Sequence, residues 1–203
     1  MGLNAPRRLG VFGGSFDPPH LAHVALARAA VAQLGLDELR VLPTGQAWHK
    51  ARALSAAQHR LAMAREAFRD VPNAHVDDRE LRRSGPTYTV DTLRELSAEW
   101  PGAQLLLVIG ADQAEALHGW RECAAIMELA TLAVAARARP GPHASPFDTS
   151  RLPPGRWIAV ELPTMPVSAT QVRARVAAGQ GIDQLVPAGV ASYIALHHLY
   201  APT

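Results

Sequence analysis

Short apolar-rich runs recur along the chain, unbroken at Leu105–Ile109, and between them lie stretches with apolar residues spaced three and four apart. The runs at 8–13, 38–43, 105–109, 132–136 and 157–162 predict buried strands, and 74–77 a shorter one. Helical spacing covers 21–34, 55–69, 89–99, 113–128 (with a break expected at Gly119), 168–178 and 189–198. Asp17 followed by Pro18 reads as the N-cap and first position of the opening helix, and Gly35 closes that helix. Residues 44–54 read as loop, and 140–155, rich in Pro, Gly and Ser, as a surface loop.

Strands alternating with helices predict an α/β fold: a Rossmann-like, mainly parallel sheet flanked by helices on both faces. A small helical extension, about 168–203, follows it within one domain spanning 1–203. Ligands of such sheets bind beyond the carboxyl ends of the strands, near the point where strand order reverses. The segments following the first strand, the second strand and Leu105–Ile109 are therefore the places to look for chemistry.

Composition narrows the class. In 203 residues, 48% are hydrophobic and 19% charged, as expected of a folded chain long enough to bury its own core. The formal net charge is +2 and no dense basic run exists, which disfavours nucleic acid as a partner. Cys123 is the one cysteine, so neither an internal disulfide nor a cysteine metal site is expected. No run approaches ~20 apolar residues and the start does not read as a signal peptide, so a cytoplasmic chain without a membrane partner is expected. Composition leaves monomer and homo-oligomer both open.

The first chemical motif is Gly13-Gly14-Ser15-Phe16-Asp17-Pro18-Pro19-His20-Leu21-Ala22-His23. Glycines after a strand allow close approach of backbone to ligand, and a new helix offers N–H groups and a positive dipole end to an anion. His20 and His23, three apart, suit a polyphosphate as hydrogen-bond donors and as compensation for transition-state charge. A metal pair is the competing use, but neighbouring ligands are missing from the sequence. The motif is neither the dinucleotide fingerprint nor a P-loop.

A second anion site is expected at Val167-Ser168-Ala169-Thr170-Gln171-Val172-Arg173, where Ser168 and Gln171 also fit a capping box. Backbone N–H groups, Thr170 and the Arg173 fork would face phosphate there, with Arg175 the competing cation. Lys50, the only lysine, ends the loop Pro43-Thr44-Gly45-Gln46-Ala47-Trp48-His49-Lys50. Tyr88-Thr89, Gly110-Ala111-Asp112 and Trp120 each have a structural use as helix starts, caps or packing, and together form a candidate pocket for a flat ring.

Taken together, these motifs closely resemble the H-x-G-H nucleotidyltransferase superfamily, with Ala22 where glycine is usual. They also resemble its nicotinate mononucleotide adenylyltransferase branch, with Trp48 replacing a usual proline and Ala169 at a small position of the second motif. The likeness runs from residue 8 to about 198. It implies transfer of AMP from ATP to nicotinate mononucleotide, with Mg²⁺ arriving with ATP and no dedicated metal site on the protein. His20, His23 and Arg173 would be catalytic, and Gly13, Gly14, Ser15, Phe16, Ser168 and Thr170 would bind ATP phosphates. In the mononucleotide site, Lys50 would contact a substrate phosphate, Asp112 the ribose hydroxyls, Trp120 the pyridine ring, and Thr89 the nicotinate end. Other acceptors, such as pantetheine phosphate or glycerol phosphate, and a nucleotide-binding regulator without turnover, are the alternatives.

Overall fold

A computed structural model describes residues 8–46, 53–137, 152–163 and 165–202. Six strands form one parallel sheet in the order 3-2-1-4-5-6: β1 (Arg8–Gly14), β2 (Glu38–Pro43), β3 (Ala74–Val76), β4 (Gln104–Gly110), β5 (Ala130–Arg137) and β6 (Trp157–Leu162). The order reverses between β1 and β4, which opens the ligand crevice of a doubly wound sheet at their carboxyl ends.

Both faces of the sheet's centre are covered, which is why β4 reads as a continuous apolar run. On one face Phe12, Leu106 and Val108 pack with α1 (Leu21–Leu34), α2 (Ala57–Phe68), α7 (Ala169–Ala177) and α8 (Ala188–Leu196). On the other, Leu9, Val11, Leu105, Leu107 and Ile109 pack with α4 (Thr89–Glu99), α5 (Ala111–Glu115) and α6 (Cys123–Leu129). Alternate residues of β1 and β4 thus serve alternate cores, as the period of two in a strand requires. The outer edge at β6 is covered locally. The Gln33 amide donates to the Glu161 carbonyl (2.8 Å) and accepts from its N–H (2.9 Å), pairing off backbone groups that would template another strand.

Three local expectations change. The helix expected over 113–128 is α5, a 3-10 turn at Leu117–Gly119, and α6. Its break extends past Gly119 because Glu122, just before α6, adopts a left-handed backbone at φ 51°. A four-residue helix, α3 (Arg79–Arg82), is too short to show a period. The first helix opens not at Asp17 but at Leu21, with His20 at the N-cap in extended backbone and a cis peptide between Asp17 and Pro18. Of the loop expected over 140–155, residues 152–155 are described and the rest lies outside the described residues.

Candidate active site

The phosphate-facing candidates sit where β1 ends. A side chain at Gly13 would meet open space, whereas one at Gly14 would run into the Phe16 ring at 2.9 Å. Phe16 carries the left-handed turn (φ 45°) and sends its ring into the core, 1% exposed, against Phe12, Phe68 and His23. Only the backbone of Phe16 is therefore left to meet a ligand. His20 and His23 stack with ring centroids 3.7 Å apart, and the His20 N–H donates to His23 Nδ1 (3.1 Å). That bond fixes the His23 ring and occupies the N-cap amide of α1. Burial pushes His20 down to about 4, so the free protein holds a neutral imidazole. Its Nδ1 is buried with no hydrogen-bond partner.

Asp17 does not cap the helix because its carboxylate is used elsewhere. It is 2% exposed and accepts from the Tyr200 hydroxyl (2.6 Å) and from the Ser55 N–H (3.2 Å). Beneath it lies Arg60, 3% exposed, which donates to the carbonyls of Ser15 (3.1 Å), Thr44 (2.7 Å) and Ser55 (3.0 Å). One buried guanidinium thus ties the loop after β1 to the loop after β2. The sequence motifs do not include Arg60 or Tyr200. Arg60 does leave a trace: it shares the buried stripe of α2 with Met63, Ala64 and Ala67, a cation at an apolar position.

The second anion motif reaches this same place. Ser168 caps α7 by accepting from the Gln171 N–H (3.2 Å). Arg173, one turn on, donates to the Asp17 carbonyl (2.8 Å) and to Thr170 Oγ1 (3.1 Å). Arg175, the competing cation, instead donates to the Gly181 carbonyl. The openings of α1 and α7 therefore converge, although 156 residues separate Arg173 from Asp17. A five-donor guanidinium braced at two points keeps further N–H groups for phosphate oxygens.

The flat-ring candidates gather on the other face of the sheet, beside the end of β4. Thr89 is the first residue of α4, and Asp112 lies exposed in the first turn of α5, directly after β4. Trp120 is half-buried and packs on the second core. Its neighbours join it to α4. The Arg121 guanidinium lies 4.5 Å above the Tyr88 ring, and Arg94 pairs with Glu122 at 2.5 Å. The chain neighbours of Thr89 and Trp120 are thus in contact, Tyr88 under Arg121. Lys50 lies outside the described residues, but Ser55 and Thr44, which flank its loop, both touch the Asp17–Arg60 cluster. Among the described residues no group of three or more His, Cys, Asp or Glu side chains is placed to hold a metal ion.

Residues 11–175 match the model of the cytidylyltransferase-like family. The chain belongs to that family. Among curated relatives of this cytidylyltransferase-like protein, one from Albidiferax ferrireducens is 53% identical over 96% of this chain and 98% of its own, and carries the name "Probable nicotinate-nucleotide adenylyltransferase". Another of the same name, from Methylibium petroleiphilum, is 44% identical over 100% of this chain and 96% of its own. The family fold is shared with a solved structure of Plasmodium falciparum nicotinic acid mononucleotide adenylyltransferase complexed with NaAD. Its TM-score is 0.78 at 19% identity, covering 96% of this chain and 97% of the other. No helix among the described residues is long and apolar enough to cross a membrane.

Proposed function

We infer that this protein is a nicotinate-nucleotide adenylyltransferase. It joins nicotinate mononucleotide to the AMP part of ATP, giving deamido-NAD and pyrophosphate in NAD biosynthesis. Relatives of that name match it over nearly its whole length. The observation that carries the chemistry is the bond from Arg173 to the Asp17 carbonyl, which brings two helix openings to one place.

The mononucleotide 5′-phosphate attacks the α-phosphorus of ATP in line. A phosphate monoester, with its second pKa near ~6, is largely dianionic at neutral pH and needs no strong general base. No side chain is assigned as nucleophile. Catalysis comes from alignment and from charge placed where the transition state needs it. His20 enters as a neutral N–H donor. His23, fixed by the His20 backbone, stabilises charge at the reacting phosphorus. Arg173 and Lys50 neutralise phosphate oxygens, while the Gly13–Phe16 backbone, Ser168 and Thr170 line the phosphate path. Mg²⁺ enters with ATP as part of the substrate. Asp112 meets the ribose, Trp120 the pyridine ring and Thr89 its nicotinate end.

A coupled pyrophosphate assay with ATP and a panel of acceptors tests this function. Nicotinate mononucleotide is expected to be the best acceptor, ahead of nicotinamide mononucleotide, with background release from pantetheine phosphate and glycerol phosphate. A faster rate with either of the latter two would replace the assigned substrate. ATP binding without pyrophosphate release from any acceptor would point to a regulator.

A further inference from the structure

Tyr200 follows the last helix, 183 residues from Asp17, yet its hydroxyl lies 2.6 Å from Asp17 Oδ1. Asp17 is the residue through which the site's separate pieces touch. Its carboxylate holds the Ser55 amide at the end of the loop that carries Lys50, and its carbonyl holds Arg173. The Arg60 guanidinium faces Asp17 and Tyr200 from below. Burial first, then the hydrogen bond and charge of Asp17, hold the Tyr200 hydroxyl well above the usual phenol range, so it stays a donor. A buried carboxylate loses much when one donor is removed, because no water replaces it.

We propose that Asp17 and Tyr200 are a positioning pair that sets the Arg173 fork beside the triphosphate, an inference that rests on the adenylyl-transfer function proposed above. Neither residue touches the reacting atoms in this role. Tyr200 fixes the carboxylate, and the carboxylate fixes the main chain whose carbonyl orients Arg173. Loss of the hydroxyl then loosens phosphate contacts on the ATP side and leaves the ring pocket across the sheet unchanged.

The test is Tyr200→Phe, which removes one oxygen and keeps the ring packed. Its kcat/KM for ATP is expected to fall about tenfold, the size of a lost hydrogen bond to a charged group. The KM for the mononucleotide should stay within about twofold. Asp17→Asn should cost a similar factor, and the double variant no more than the larger single loss, the non-additivity of a pair acting as one unit. Tyr193→Phe, which removes a comparable hydroxyl bonded to His59 (3.1 Å) in α8, is the control and should leave ATP kinetics unchanged. A Tyr200→Phe protein with a lowered melting midpoint but wild-type ATP kinetics would reduce the contact to a tail anchor and overturn the proposal. Equal losses for both substrates, or additive single effects, would do the same. Should the wild type release no pyrophosphate with any acceptor, the proposed function falls. Calorimetric affinity for α,β-methylene-ATP then decides the positioning pair separately: a drop of about tenfold in Tyr200→Phe supports it and an unchanged affinity rejects it.

Discussion

At the scale of single residues, the site is built from side chains whose nearest neighbours in sequence suggest another task. Asp17 precedes a proline, and local grammar assigns it to a helix cap. Its carboxylate is instead taken by Tyr200 and by the Ser55 amide, partners no local pattern can announce. The same limit applies to Phe16, whose place beside two glycines suggests ligand contact but whose ring is core. The contacts of His20 with His23 and of Thr170 with Arg173 are legible in the sequence because short spacings on one helix turn survive folding intact. For His23, held by the His20 amide and stacked on the His20 ring, replacement by Ala should lower kcat by about 100-fold or more. Binding of ATP, measured by calorimetry, should weaken far less. Near-normal turnover would remove His23 from the catalytic role.

The elements show where hydrophobic rhythm is a sufficient guide. All six strands and the helices at 21–34 and 89–99 emerge close to their predicted bounds, and Leu105–Ile109 of β4 is clearest because a strand buried on both faces is apolar throughout. The stretch after β4 misleads because helical spacing continues across a 3-10 turn and the left-handed Glu122. That broken segment is tied to α4 by Arg121 over Tyr88 and by Arg94 on Glu122, and Trp120 within it packs on the second core. Trp120→Ala should therefore raise the KM for the mononucleotide by about tenfold, from lost stacking and burial, with the KM for ATP little changed. Unchanged acceptor kinetics would place the ring elsewhere. Gly45 reports on the neighbouring loop. A side chain there meets Thr87 Oγ1 at 2.5 Å and the Glu80 main chain, so Gly45→Ala should cost about 1–3 kcal/mol in urea unfolding. Wild-type stability would mean this loop gives way freely.

Two buried groups set opposing pH dependences for the whole molecule. His20, pushed down by burial from 6.5 to about 4, binds its proton more weakly folded than unfolded. The stability supplied by its neutral form is present above pH 6.5 and is lost as pH falls toward about 4. Glu80 is pushed up from 4.5 to about 7, chiefly by burial, against the Thr92 hydrogen bond and the nearby Arg83; Asp77 and Glu95 add to the rise. Its contribution is complete below pH 4.5 and is lost as pH rises through about 7. Glu80→Gln should gain urea midpoint relative to wild type as pH rises from 4.5 to 7, and His20→Gln should gain as pH falls from 6.5 to 4. Differences that do not change with pH would show that neither group titrates as its surroundings require.

Everything at this scale depends on α1 and α7 opening onto one triphosphate at the switch point of the sheet. A crystal structure with α,β-methylene-ATP and nicotinate mononucleotide measures this directly. The phosphate chain should lie between His20, His23 and the start of α7, within hydrogen-bond reach of Arg173, with the pyridine ring against Trp120. Phosphates bound away from either helix opening, with Arg173 bonded only to Asp17 and Thr170, would contradict it.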